Sequence, residues 1–161
     1  MTAAPSTSTE KVQQALKSAG FSNKVIEMEM TTRSAADAAG AVGCQVGQIA
    51  KSLVFQGQST QRPVLVIASG ANRVDEEKLA SVLGESMAMA RPEHVRALTG
   101  FAIGGVPPLG HQTPMETIID ADLMTHERIW AAAGTPRAMF SLTPDELLRM
   151  TDAEVKDIRK E

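Results

Sequence analysis

The sequence predicts an α/β (α+β) protein: one compact domain with a mixed, curled or barrel-like β-sheet flanked by helices. Three observations carry that expectation. At 161 residues and 43% hydrophobic composition, the chain has enough apolar material for one core and no need of a second. About six or seven short strand-like runs are interleaved with five or six capped, amphipathic segments. Their spacing lacks the regular βαβ alternation of a doubly wound sheet, and no internal repeat, heptad seam or low-complexity tract is present. Residues 1–9 read as a short disordered lead and residues 10–161 as the domain.

Taken in order, Thr7 and Glu10 stand in capping-box spacing before a helix that carries Val12, Leu16 and Ala19 on one face and stops at Gly20. Lys24 to Met30 alternates and reads as a half-buried strand. Ser34 with Asp37 caps an alanine-rich helix that breaks near Gly43–Gly47 before a short second turn. Ile49–Phe55 and Pro63–Ser69 form neighbouring strands at the centre of the sheet, joined by a polar, glycine-containing turn. Asp75 opens a helix with Leu79, Val82 and Leu83 inward, closed by Gly84. Met87–Met89 is a short strand, and Pro92 starts a brief helix that ends at Gly100. Phe101–Ile103 is expected as a strand leading into a glycine-proline loop, with Glu116–Asp120 leading out as another. Glu127–Ala133 is expected to be helical, Gly134-Thr135-Pro136 a turn, and Arg137–Leu142 the final strand. Thr143 with Glu146, and Thr151 with Glu154, are two capping boxes that predict two closing helices.

Composition excludes several classes of function. The longest aliphatic run, Val64–Ala68, is far short of the ~20 residues of a membrane span. The first residues lack the charged and apolar regions of a secretory signal, and a single cysteine allows no internal disulfide, which together point to the cytoplasm. A net charge of −3 argues against gripping nucleic acid by bulk electrostatics, so a nucleic-acid partner must be held by a local patch. With no Tyr, one Trp and four Phe, the chain also lacks the aromatic surface on which single-strand binders stack bases.

The stretch Gly104-Gly105-Val106-Pro107-Pro108-Leu109-Gly110-His111 packs three glycines, two prolines and a histidine into eight residues. Such a loop is either a rigid turn between strands or a cradle whose amides face a polar ligand atom. Lys51 interrupts the apolar run Ile49–Phe55, where a charge costs free energy unless it has a partner or a task; it is either an outward strand residue or a functional one. Lys51-Ser52 does not end a phosphate-binding P-loop, because Ala50 and Gln45 stand where glycines are required. His94, His111 and His126 are too far apart for a local metal motif, and the residues imply neither metal nor cofactor. His94, beside Arg91 and Arg96, sits on a solvated polar face or a small phosphate-facing patch, and His126 begins a helix. Serine nucleophile elbows are missing, Cys44 is most simply a packing residue, and Asp120 and Asp122 either cap a turn or orient an amine.

The ordered set Ala35-Ala36-Asp37-Ala38-Ala39, Val46 to Phe55, Gly104 to His111 and Ala133-Gly134-Thr135-Pro136-Arg137 resembles the YbaK/ProX family. These are aminoacyl-tRNA deacylases related to the editing domain of bacterial prolyl-tRNA synthetases, and the resemblance runs from about Glu10 to Leu142. It implies hydrolysis of the ester joining a wrong amino acid to the 3′ end of a tRNA, with a small residue such as Ala, Cys or Ser as the group removed. Lys51 matches the family's lysine, whose inferred role is to hold the phosphate or ribose end of the substrate. Gly104 and Gly105 match the loop glycines thought to hold the reacting carbonyl, with Val106, Pro108, Gly110, His111 and Gly134 as substrate-binding positions. The implied partners are aminoacyl-tRNA and a synthetase such as prolyl-tRNA synthetase, acting on a monomer or weak homodimer without a membrane. One departure stands out: several members carry serine shortly before the matched glycine, where this chain reads Ala131-Ala132-Ala133. That departure motivates an alternative, a non-catalytic module that binds aminoacyl-tRNA on the same fold. A third class, a Schiff-base enzyme using Lys51, requires a desolvated lysine.

Overall fold

The computed structural model describes residues 7–28 and 34–161. Within them the chain forms α1 (Ser8–Ser18), β1 (Ile26–Glu27), α2 (Ala35–Val42), β2 (Ile49–Gly57), β3 (Pro63–Ser69), α3 (Glu76–Leu83), β4 (Met87–Met89), α4 (Pro92–Thr99), β5 (Glu116–Asp120), β6 (Ile129–Ala132), β7 (Ala138–Leu142), α5 (Pro144–Thr151) and β8 (Glu154–Lys156). Short 3-10 turns precede β2 and β6. One mixed sheet runs in the order β1-β7-β6-β2-β3-β5-β8, with β4 paired to the far end of β2. The two terminal strands of this path are not paired with each other, so the sheet does not close into a barrel among the described residues.

The pair at its centre is the one the sequence predicts. Lys51 of β2 stands opposite Ala68 of β3, and Ser52 opposite Ile67, in an antiparallel register. β3 is buried on both faces: Leu65 and Ile67 enter the main core under α1, α4 and α5, while Val64 and Val66 enter a second cluster with Leu79 and Leu83 of α3. A strand covered on both sides must be apolar throughout, which is why its sequence is continuous and not alternating. A third cluster joins Ala38 and Ala39 of α2 to Ile49 and Met139.

The caps form as expected. Thr7 and Glu10 make both halves of a capping box at α1, as do Thr143 and Glu146 at α5, and Ser34 Oγ accepts from the Asp37 amide at 3.1 Å. The expected lead at residues 1–9 overlaps α1 from Ser8 on, and residues 1–6 lie outside the described part. The strand expected over Lys24–Met30 is confined to Ile26–Glu27, where Ile26 is 41% exposed and its neighbour Val25 packs on the core; positions 29 and 30 lie outside the described residues.

Four other expectations are corrected. Phe101–Ile103 is not a strand: the Phe101 amide donates to Thr99 Oγ1 and the Gly105 amide turns back to the Ala102 carbonyl, so this backbone has no ladder to join. Glu127–Ala133 is not helical; Ile129 and Ala131 are buried while Trp130 and Ala132 alternate with them in β6. Alanine's helix preference is weak, and pairing with both β2 and β7 overrides it. His126 accordingly follows a 3-10 turn instead of starting a helix. The second closing helix is absent, because Thr151 Oγ1 donates to the Leu147 carbonyl inside α5 and Asp152 ends that helix; Glu154 then enters β8, parallel to β5.

Candidate active site

Lys51 lies near the start of β2, on the face it shares with Leu53 and Phe55 and on the rim of an apolar cleft of about 190 Å3. Gly104 and Val106 line the same cleft, so the two features singled out in the sequence, 53 residues apart, meet there. The opposite wall comes from α2, through Ala35 and Ala38, and from Ala132 and Met139 of the β6–β7 hairpin. The small side chains of Ala35, Ala38 and Ala132 leave the space open. Ile103, 55% exposed, stands at its edge.

The electrostatics of Lys51 follow from this position. Burial pushes its ammonium below the usual lysine range and the Arg73 charge adds to that, while Asp120 opposes both. Among the described residues Lys51 forms no ion pair, so its charge is held available instead of being neutralised within the fold. Asp120 is 2% exposed and fully used: it accepts from the Ser69 amide at 3.0 Å, from Asn72 Nδ2 at 2.9 Å and from the Asp122 amide at 3.0 Å. It therefore caps the turn after β5 and ties that turn to the end of β3, and it acts on Lys51 through its field alone.

The glycine-proline loop is held from three sides. Gly105 lies against Gly134: the Gly134 amide donates to the Gly105 carbonyl at 2.8 Å, and a Cβ on Gly105 would sit 2.6 Å from the Gly134 carbonyl oxygen. Gly134 itself has φ +101°, and a Cβ there would sit 2.6 Å from the Ser8 carbonyl oxygen. Only glycine at both positions allows the loop, the 134–136 turn and the start of α1 to stack backbone on backbone. Because the Gly105 amide is spent on the Ala102 carbonyl, the loop donors beside the cleft that have no partner among the described residues are the amides of Gly104 and Val106.

The return limb of the loop lies away from the cleft. Pro108 is buried, Gly110 packs toward Ala15 of α1, and His111 Nε2 donates to the Pro107 carbonyl at 2.7 Å, pinning the loop to itself. Burial lowers the His111 pKa, with the Pro107 bond acting weakly in the other direction. The unfolded chain therefore takes up a proton first as pH falls, so His111 contributes stability above its ordinary pKa of about 6.5 and loses it on acidification through the lower folded value. The melting temperature of the wild type is expected to drop more between pH 7.5 and pH 5 than that of His111→Gln, which keeps an N–H donor but does not titrate. Equal drops would remove His111 from this role.

Two groups escaped the sequence reading. Ser52 also lines the cleft, and its buried hydroxyl has no hydrogen-bond partner among the described residues; on β2 it shares its face with Ala50 and Val54 and so reads as core by alternation. The α2 alanines read only as helix formers, although their small size is what admits a ligand. Cys44 is not at the cleft, and burial raises its thiol pKa, the reverse of an activated nucleophile.

The chain belongs to the aminoacyl-tRNA editing domain family, whose model matches residues 29–150. It is 49% identical, with a TM-score of 0.92, to a crystal structure described as a candidate trans-editing enzyme for prolyl-tRNA synthetase, covering 98% of this chain and 100% of that one. It is 32% identical to the uncharacterised protein YwhH of Bacillus subtilis, over 83% of this chain and 84% of that protein. It is 29% identical to EbsC of Enterococcus faecalis, named as a candidate Cys-tRNA(Pro)/Cys-tRNA(Cys) deacylase, over 78% of this chain and 76% of the relative. No helix among the described residues is long and apolar enough to cross a membrane.

Proposed function

We propose that this protein is a trans-editing hydrolase of the cytoplasm that cleaves the ester between a small, misplaced amino acid and the 3′ end of a tRNA, clearing errors of a synthetase such as prolyl-tRNA synthetase. The observation that carries this reading is the convergence of Lys51 with the unspent amides of Gly104 and Val106 on one small apolar cleft. An acyl ester needs donors aimed at the oxygen that becomes negative as the carbonyl is attacked, and each such donor is commonly worth ~3 kcal/mol. Water, held in place by the neighbouring ribose hydroxyl, then adds to the carbonyl carbon; the bond to the ester oxygen breaks, the released ribose oxygen takes the proton that the water gives up, and the amino acid leaves as its carboxylate. No protein nucleophile is required, which fits a cleft that lacks a Ser–His or Cys–His pair among its lining residues.

The cleft walls support a small aminoacyl group. About 190 Å3 bounded by Ala35, Ala38, Ala132 and Met139 leaves room for a short side chain and little more. Several family members are expected to carry serine shortly before the glycine matched by Gly134; here Ala132 lines the wall, and Ser52 brings a buried hydroxyl with no partner among the described residues. Apolar fit separates side chains differing by one methyl by only ~1–3 kcal/mol, so the panel of substrates must include close neighbours. Incubation with tRNAs charged with Ala, Cys and Ser, alongside correctly charged Pro-tRNA, tests the reading: release of at least one small amino acid well above its spontaneous rate is expected. Hydrolysis of none would leave a binding module on the same fold. The lowered pKa of Lys51 is also what an amine nucleophile requires, so borohydride trapping of a substrate adduct on Lys51 would favour the Schiff-base reading instead.

A further inference from the structure

Lys51 borders a second cavity, of about 420 Å3, on the side away from α2. Its charged lining is Lys51, Arg73 and Lys160 with a single carboxylate, Glu76, in a chain whose net charge is −3. None of the three cations forms an ion pair among the described residues. Their neighbours behave differently: Lys78 is taken up by Asp157 and Glu161, and Arg159 by Asp122. The placement is fixed by backbone. The Lys160 amide donates to the Arg73 carbonyl at 2.8 Å, the Asp75 amide donates to the Ile158 carbonyl at 2.8 Å, and Val74 bridges Arg159. The C-terminal limb is thereby clipped to the segment after β3, and two exposed cations from segments far apart in the sequence stand beside Lys51. The Arg73 charge is felt at Lys51, as its contribution to lowering the lysine pKa records. Three cations against one carboxylate leave an excess of positive charge that repels itself until an anion joins it.

We propose that Arg73 and Lys160 extend the site beyond Lys51 into a cationic channel that binds phosphodiester groups of an RNA acceptor end, leaving the apolar cleft to the aminoacyl group. The proposal rests on the deacylase reading for the identity of the RNA. It resolves a difficulty in the composition: an acidic protein acquires a local grip on a polyanion where the reacting ester must lie.

The test compares wild type with the Arg73→Ala/Lys160→Ala double variant in two measurements. The first is the Kd of a fluorescently labelled, uncharged CCA-ended acceptor minihelix as KCl is raised. The double variant is expected to bind about tenfold more weakly near 0.1 M salt, and the slope of log K against log salt should shrink by about 1.4, since each single-strand phosphate contact contributes ~0.7. The second is hydrolysis of a phosphate-free 3′-O-aminoacyl adenosine, whose rate should fall by a much smaller factor than the RNA affinity; an equal fall in both would overturn the proposal. Both replaced side chains are exposed, and equal melting temperatures verify the fold. Equal Kd and equal slope for the two proteins, or no RNA binding by the wild type, overturns the proposal. If neither protein cleaves the ester while the RNA comparison holds, the deacylase reading fails and the phosphate channel stands.

Discussion

Lys51→Ala is expected to lower kcat/KM for deacylation of a mischarged tRNA by at least about tenfold, the loss of some 1.4 kcal/mol of transition-state stabilisation. The protein should stay folded, because Lys51 is half-buried and has no ion-pair partner among the described residues, so its removal leaves no orphaned charge behind. Burial and Arg73 both disfavour the ammonium, and truncation relieves that strain on the fold while removing the charge from the cleft rim. A structural lysine would give the opposite pattern, a lowered melting temperature with turnover intact. Unchanged turnover would take Lys51 out of the site.

Gly105→Ala is expected to cost about a hundredfold in turnover, the order of effect produced when reacting groups are displaced by roughly 1 Å. The added methyl would lie 2.6 Å from the Gly134 carbonyl oxygen, 2.7 Å from its carbon and 2.8 Å from the Thr135 Cα. All three are backbone atoms, so no rotamer change makes room. The loop must lift off the 134–136 turn, and the Gly134 amide bond to the Gly105 carbonyl goes with it. The amides of Gly104 and Val106 flank residue 105, so they move as well. Kinetics and a thermal melt of the variant check this; wild-type rates from a protein with an unchanged melt would show that the loop geometry does not set the chemistry.

Much of this architecture is legible because it is local. Thr7 with Glu10, Ser34 with Asp37 and Thr143 with Glu146 announce their helices through hydrogen bonds spanning three residues, and such signals depend on nothing distant. The β2–β3 pair is legible because a strand buried on both faces leaves an uninterrupted apolar run. β6 and β8 are not, since Ala131–Ala133 and Thr151–Glu154 carry helix-favouring patterns that only their pairing with β2, β7 and β5 overrules. The same division holds for the site. Lys51 stands out as a charge in an apolar strand, and Gly104–Gly105 as a cluster of glycines. That Gly105 is needed to meet Gly134, that its amide is spent on Ala102, and that His111 braces Pro107 are facts of contact between segments. Arg73 and Lys160 are similarly silent in one dimension, being ordinary surface cations until the C-terminal limb is clipped beside the end of β3.

The central claim is that Lys51 and the free loop amides make the small apolar cleft an ester-cleaving site. Its most direct test is the rate at which labelled alanine, cysteine or serine is released from the charged tRNA by wild type and by Lys51→Ala, side by side with the spontaneous rate. Release by the wild type far above background, falling at least about tenfold in the variant, is the predicted result. Wild-type release indistinguishable from the spontaneous rate for all three amino acids would contradict it.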